Sequence, residues 1–288
     1  MKYLYYPGCS LEGTAKEYDL STRACMKALG VKLEELEDWT CCGATAAQSV
    51  SRLLSLALPA RNLALAERQN KDLDLLVPCS ACYLNLKMTE EKARTEPGTL
   101  REINQVLAEA GLHMEGHVHV RHLLDVLSRD LGANEVARRV TRSLEGLTVA
   151  PYYGCQCLRP YAEFDDPEAP TSMEPLLRAT GAEIHSWTMG SRCCGASHMT
   201  VKPHIGIDLV APILDAAAGA DAVVTVCPMC QMNLEAYQGK ASRALGRDVS
   251  VTVIYLPQLL GLALGLSSKD VRLDLNLAVT RDFQKRAA

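Results

Sequence analysis

Leu75-Leu76-Val77-Pro78-Cys79-Ser80-Ala81-Cys82 has a counterpart in Val223-Val224-Thr225-Val226-Cys227-Pro228-Met229-Cys230. Each stretch is a short apolar run that stops at a C-x-x-C pair. A helical start follows both, Tyr83-Leu84-Asn85-Leu86 in one case and Gln231-Met232-Asn233-Leu234 in the other. An uninterrupted apolar run bounded by turn residues is the pattern of a strand buried on both faces of a parallel sheet. Ser80 and Pro228 suit a first helical turn, so each copy predicts a strand, a tight turn at the cysteines and a helix.

Outward from these stretches the repetition continues. Tyr5-Tyr6-Pro7-Gly8-Cys9 answers Tyr152-Tyr153-Gly154-Cys155, and Cys41-Cys42-Gly43 answers Cys193-Cys194-Gly195. Ten of the twelve cysteines fall into the repeat, offset by about half the chain. Duplication of a five-cysteine unit is the economical explanation.

The remaining periodicities predict strands alternating with helices. In the first half Lys2–Tyr6, Val31–Leu36 and Leu73–Val77 read as strands, with helices over Thr14–Leu29 and Ser49–Arg68. In the second, Leu147–Tyr153, Glu183–Trp187 and Ala222–Val226 read as strands, with helices over Met173–Thr180 and Ile205–Ala218. Leu100–Ala110 and His122–Leu131 look helical, and Gly111–His119 is a short strand or loop. The expected fold is α/β, two pseudo-symmetric Rossmann-like domains with parallel sheets from an internal duplication. Residues 1–145 form the first domain; residues 146–288 form the second, ending in a polar tail beyond Leu266 that reads as a solvated end or a docking strip.

A chain of 288 residues with 48% hydrophobic and 22% charged residues can build two cores of ordinary size. Lys and Arg number 30 against 34 Asp and Glu, for a net charge of −4, and no basic stripe interleaves with aromatics, so nucleic acid is not an expected partner. No apolar run reaches the ~18 residues of a membrane span. Tyr255 to Leu266 comes nearest and is broken by Pro257, Gln258 and two glycines. The expectation is a cytoplasmic protein, and in that compartment a cysteine-rich chain points to metal or redox chemistry rather than to disulfides.

Every cysteine block sits at the carboxyl end of a predicted strand or on the loop after it, where open α/β sheets collect ligands. Adjacent cysteines such as Cys41-Cys42 chelate a single tetrahedral ion awkwardly, and five thiolates exceed what one zinc accepts. The ferredoxin run C-x₂-C-x₂-C-x₃-C does not occur. An iron–sulfur cluster of unusual shape in each half fits the count best, with a structural zinc protein as the contrasting reading.

These residues resemble the CCG-domain family, and in detail the B subunits of heterodisulfide reductases. The signatures are Tyr6-Pro7-Gly8-Cys9, Trp39-Thr40-Cys41-Cys42-Gly43-Ala44, Val77-Pro78-Cys79-Ser80-Ala81-Cys82, Tyr153-Gly154-Cys155, Arg192-Cys193-Cys194-Gly195-Ala196-Ser197 and Val226-Cys227-Pro228-Met229-Cys230. The resemblance implies two noncubane 4Fe-4S clusters, the first held by Cys9, Cys41, Cys42, Cys79 and Cys82, the second by Cys155, Cys193, Cys194, Cys227 and Cys230. It implies an oxidoreductase acting on sulfur: a small disulfide, such as the coenzyme M–coenzyme B heterodisulfide, lies between the clusters and is cleaved homolytically. Catalysis then needs no residues beyond the cluster ligands. The implied partners are a ferredoxin-like iron–sulfur subunit and a flavin-containing subunit of the same complex. The alternative is a non-catalytic electron-transfer subunit of a dehydrogenase complex.

Outside the repeat, Cys25 lies on an amphipathic helix and reads as a small buried hydrophobe. Cys157 is open between a cluster neighbour, an alternative ligand and a packed thiol. His198 and Arg192 are candidates for a proton donor or anion clamp, and Lys16, Arg159 and Lys202 for anion recognition. His113, His117, His119 and His122 crowd together, but no carboxylate or cysteine follows at ligand spacing. The acidic run Glu34, Glu35, Glu37 and Asp38 reads as a charged strand edge or a docking surface.

Overall fold

The computed structural model describes residues 1–44 and 46–287. Two four-stranded parallel sheets dominate it. The first contains β1 (Lys2–Tyr5), β2 (Lys32–Glu35), β3 (Leu75–Val77) and β4 (Val120–His122) in the order β2-β1-β3-β4. The second contains β5 (Thr148–Tyr152), β6 (Glu183–Ile184), β7 (Ala222–Thr225) and β8 (Thr252–Tyr255) in the matching order β6-β5-β7-β8. The repeat is therefore a repeat of topology as well as of cysteines, and the α/β, duplicated, parallel-sheet expectation holds.

Burial explains which strands were legible. β3 and β7 are covered throughout, as their unbroken apolar sequences require. β2, of sequence KLEE, is an edge strand, and Lys2 of its neighbour pairs with Glu34 at 2.6 Å. Glu34 and Glu35 of the charge run lie on this strand edge, and Glu37 and Asp38 follow it. β6 lasts only two residues, where the pattern predicts a strand to Trp187. After His185, whose N–H still donates to the Val149 carbonyl at 2.9 Å, the chain leaves the sheet, with the Trp187 indole donating to the Pro151 carbonyl at 3.1 Å.

The principal helices of the first half are α1 (Lys16–Ala28), α2 (Arg52–Asn70), α3 (Ser80–Thr95) and α4 (Pro97–Ala108). The second half has α5 (Glu174–Ala179), α6 (Pro203–Ala216), α7 (Pro228–Ala236), α8 (Gln238–Leu245) and α9 (Leu256–Ala263), and α10 (Arg281–Ala287) closes the chain. The expected helix Ser49–Arg68 is divided, because Ser51 is extended (φ −159°, ψ 134°) and its hydroxyl accepts the Leu54 N–H at 3.3 Å as a cap. Val120–His122 is strand β4, so the segment expected to be helical from His122 begins with the end of a strand.

The C-terminal region departs furthest from expectation. The run from Tyr255 is the end of β8 followed by a core helix, with Leu256, Leu259 and Leu260 fully buried. The polar tail is docked by a few apolar residues while most of its polar side chains stay exposed. Val271, Leu273 and Phe283 are buried, and the Val253 N–H donates to the Ala278 carbonyl at 3.1 Å, so the tail covers the outer edge of β8. Among the described residues, no helix is long and apolar enough to cross a membrane.

One apolar core joins the halves, running from Leu4 and Leu76 through Leu256 and Leu260. Aromatic pairs cross this seam reciprocally. Tyr18, nine residues after Cys9, stacks on Tyr255 at 4.0 Å between centroids, and Phe164, nine residues after Cys155, stacks on His122 at 6.0 Å.

Candidate metal centres

In each sheet the strand order reverses between the two central strands, so the loops leaving β1 and β3, or β5 and β7, diverge and open a crevice. Cys9 follows β1 and Cys79 follows β3; Cys155 follows β5 and Cys227 follows β7. The CCG loops, after β2 and β6, complete each crevice. All twelve cysteines are free thiols.

The two centres share most of their contacts. Cys42 and Cys82 stand with their sulfurs 3.4 Å apart, and Cys194 and Cys230 at 3.6 Å. Cys9 and Cys41 approach to 3.7 Å. The Gly43 N–H points at the Cys41 sulfur and the Gly195 N–H at the Cys193 sulfur, both at 3.4 Å. The Asn85 amide donates to the Cys42 carbonyl at 3.1 Å, and the Asn233 amide to the Cys194 carbonyl at 2.9 Å. The Tyr6 hydroxyl donates to the Thr40 carbonyl at 2.7 Å, and that of Tyr152 to the Arg192 carbonyl at 2.6 Å. Each CCG turn is thus clamped from both sides, by a tyrosine from the sheet and an asparagine from the helix.

Close packing around the sulfurs fixes two glycines. A Cβ on Gly8 would come within 2.9 Å of the Cys82 sulfur, and one on Gly154 within 2.9 Å of the Cys230 sulfur. Both have positive φ, 75° and 71°. The first loop cannot carry a side chain and still let the sulfur reach its place.

Cys79 and Cys227 are the N-cap residues of α3 and α7, and neither sulfur makes a capping hydrogen bond. They lie against each other instead, one from each half. Cys9, Cys41 and Cys193 are the exposed members, while Cys42, Cys79, Cys82, Cys194, Cys227 and Cys230 are buried and Cys155 is half-buried. Charge is uneven within each set. Contact with the Cys41 and Cys82 thiols lowers Cys42 to about 4, and contact with Cys155 lowers Cys193 to about 6. Contact with Cys230 and Cys79 lowers Cys227 as well. Their partners Cys41, Cys79, Cys82, Cys155 and Cys230 are raised by the same contacts and by burial. Sulfur donors held in close pairs suit soft, thiophilic metal. Among the described residues, no three His, Cys, Asp or Glu side chains are grouped to grip one ion. In the second half all five cysteines line one recess, which fits a body larger than a single ion.

The second centre opens on a recess of about 80 Å³ lined by Tyr153, Gln156, Ser197 and Met229 with the cysteines, and by Ser80 from the first half. The first centre opens on a shallow acidic surface, where Cys9 and Cys41 adjoin Glu12, Glu35, Glu37 and Asp38. Ser80 connects the two sides. Its hydroxyl meets the Val226 carbonyl at 3.3 Å and His122 Nε2 at 3.2 Å. The Leu124 N–H donates to His122 Nδ1 at 3.2 Å, so the ring proton is on Nε2, and burial lowers the imidazole to about 4 and keeps it neutral. The Tyr18 hydroxyl is shared between the carbonyls preceding the two C-x-x-C pairs, Pro78 at 3.0 Å and Val226 at 3.1 Å.

The other candidates separate cleanly. Cys25 is buried, and burial raises its thiol to about 12. Cys157 is fully buried and donates to the Tyr153 carbonyl at 3.3 Å; its counterpart two residues after Cys9 is the packed Leu11. Arg159 approaches the second centre but is committed to Glu168 at 2.9 Å and the Ser191 carbonyl at 2.6 Å. Arg159 and His198 both help to lower Cys193. Lys16 lies beside Glu12, Asp19 and Glu35 on the first half. The histidines disperse: His117 meets Glu115, His119 meets Glu90, and His122 turns into the seam. Tyr18 is a site residue that the sequence pattern does not single out, and Ser80 and His122, read there as a first-turn residue and as one of a histidine cluster, meet at the seam. Asn85 and Asn233 recur in the duplicated helix starts, and that recurrence is the signal that marks them.

The cysteine-rich domain model named CCG matches residues 3–87 and 149–235. The chain belongs to the CCG family. Over 96% of its length it is 38% identical to the 8-methylmenaquinol:fumarate reductase membrane anchor subunit of Wolinella succinogenes, 96% of which is covered. It is 30% identical, over 98% of its length and 95% of the relative's, to the B subunit of the ferredoxin/F(420)H(2)-dependent CoB-CoM heterodisulfide reductase of Methanosarcina acetivorans. A protein of Archaeoglobus profundus named for its likeness to the heterodisulfide reductase B subunit is also 30% identical, over 94% of this chain and 93% of its own. Among solved structures, a hypothetical protein from Helicobacter pylori shares the fold with a TM-score of 0.79 at 17% identity. The alignment covers 98% of this chain and 52% of that one, so the CCG chain spans about half of that structure.

Proposed function

We propose that this chain is the disulfide-reducing subunit of a heterodisulfide reductase-like complex. In this reading, residues 1–145 carry one noncubane 4Fe-4S cluster on Cys9, Cys41, Cys42, Cys79 and Cys82. Residues 146–288 carry a second on Cys155, Cys193, Cys194, Cys227 and Cys230. The observation that supports it is the completeness of both five-cysteine sets, whose inner members Cys79 and Cys227 meet at the seam. Splitting a disulfide takes two electrons, which a matched pair of one-electron centres supplies without releasing a free radical.

The residues of the chain then act on the substrate side. Tyr153, Gln156, Ser197 and Met229 line the same recess as the second cysteine set, so they would border the substrate where it meets the cluster held there. Ser80 brings a hydroxyl to the same recess, held there by the neutral His122. The substrate class is a small disulfide of the coenzyme M–coenzyme B kind. Electrons come through a ferredoxin-like iron–sulfur subunit and a flavin-containing subunit, in the cytoplasm.

The 38% identity to the Wolinella protein favours a second reading, an iron–sulfur electron-transfer subunit of a dehydrogenase complex that reduces no disulfide itself. An anaerobic iron and sulfide count separates the possibilities when paired with electron paramagnetic resonance before and after addition of a disulfide. Two clusters correspond to about eight irons and eight sulfides per chain, and disulfide turnover with reduced viologen establishes the first reading. Full cluster content with neither a disulfide-dependent signal nor turnover establishes the second. Zinc in place of iron sinks both.

A further inference from the structure

Two buried carboxyls lie at the seam, apart from the cysteines. Glu17 on α1 and Glu235 on α7 are 5% and 8% exposed. Glu17 accepts no hydrogen bond from another residue among those described. Burial raises it to about 7, with the charge of Glu235 acting in the same direction. The facing cation, Arg272 of the C-terminal segment, is already paired with Asp274 at 3.0 Å. Glu235 is raised by burial although the Ala278 N–H reaches it at 3.2 Å and the Asn276 amide at 3.4 Å.

A file of buried polar groups leads from these carboxyls to the second centre. Cys227, Gln231 and Glu235 are spaced four apart on one face of α7, which carries the file ~12 Å along the helix. Gln231 is 1% exposed and lies against Glu235, yet neither of its amide atoms completes a hydrogen bond of good geometry. The hydroxyls of Thr225, at the end of β7, and Thr22, on α1, are likewise buried without partners. Tyr255 stands among Glu17, Tyr18, Cys227 and Glu235. Its stacked partner Tyr18 reaches the Val226 carbonyl. Buried polar atoms without protein partners are sites for ordered water, and a run of them makes a path for protons.

We infer that Glu17 and Glu235 are the proton reservoir of the second centre, delivering to it through Gln231, the Tyr18–Tyr255 pair and intervening water. The role rests on the disulfide-reducing function proposed above. Breaking R–S–S–R′ requires two electrons and two protons and yields RSH and R′SH. The electrons come from a one-electron donor of the iron–sulfur or viologen class and bring no protons. The protons come from the carboxyl pair, which refills from solvent at the slightly exposed edge of Glu17. Each electron added near Cys227 makes the carboxyls more basic, so reduction and proton uptake are coupled.

The test uses the anaerobic holoprotein, with Glu17→Gln and Glu235→Gln variants of unchanged iron content. Infrared difference spectra on reduction by viologen follow the protonated-carboxyl band from pH 5 to 9, and a pH-indicating dye counts protons taken up. The wild type gains carboxyl absorbance on reduction, most steeply near pH 7, and each variant loses that gain. With 2-hydroxyethyl disulfide as probe, wild-type turnover falls as pH rises through 7, where the reservoir empties. The variants are slower by about tenfold at pH 6 and show no such fall. Clusters that reduce normally while the carboxyl band and proton count match between wild type and variants overturn the reservoir and leave the proposed function standing. A purified protein without reducible clusters overturns both.

Discussion

Replacing Gly8 by alanine tests whether the loop after β1 is shaped around a sulfur. Gly8 has φ 75° and ψ 163°, a region open almost only to glycine, and holding alanine there costs about 1–3 kcal/mol. The new Cβ would also stand 2.9 Å from the Cys82 sulfur and 3.3 Å from the Tyr6 ring, an overpacking cost of about 1–3 kcal/mol. The two together give about 2–6 kcal/mol, or roughly 5–20 °C in the melting temperature of a chain of this size. Gly111→Ala is the control: its φ is 64° but nothing lies within 4 Å of the added Cβ, so only the backbone cost of about 1–2 kcal/mol applies. Melting of the metal-free proteins by circular dichroism reads the strain, and iron per chain after anaerobic reconstitution reads the sulfur's position. The expected result is a Gly8→Ala protein that melts well below Gly111→Ala and takes up less iron. If the two variants melt together and load equally, the close approach of Cys82 to the loop is not a feature of the folded protein.

Asn233→Ala, like Asn85→Ala in the first half, removes the amide that satisfies a buried cysteine carbonyl and costs about 1–3 kcal/mol in urea unfolding. An Asn233→Asp variant that restores stability would count against this account, because a carboxylate cannot donate to the Cys194 carbonyl. Tyr18→Phe keeps the ring stacked on Tyr255 but withdraws the proton shared by Pro78 and Val226, for a loss of about 1–2 kcal/mol. A Tyr255→Phe variant, which touches neither carbonyl, is the comparison, and equal losses in the two would refute the assigned role of the hydroxyl.

The halves differ in how they meet solvent, and the difference bears on how a complex works. The first centre places Cys9 and Cys41 at an open acidic face, whereas the second gathers its five cysteines around a small recess that Ser80 of the other half helps to line. Duplicated machinery has become unequal through its surroundings, since the hydrogen bonds around the two CCG turns remain nearly superimposable.

The cysteine grammar, the alternation of strands and helices and the duplication were legible in the chain because they depend on local pattern. A central parallel strand, covered on both faces, must be apolar throughout, and a ligand loop must follow a strand end. Leu75–Val77 and Ala222–Thr225 are readable for that reason. β4, β8 and the C-terminal tail were not, because His122, Tyr255 and Phe283 are buried only through contacts that the other half or a distant segment supplies. The same holds for Cys157, whose nearness in sequence to Cys155 leaves three roles open until its burial and its bond to the Tyr153 carbonyl are seen. Local pattern specifies what each half contains. How the halves are joined, with Cys79 against Cys227, Tyr18 between two carbonyls and carboxyls buried at the seam, is set in the folded molecule, because the energies of those contacts arise between residues far apart along the chain.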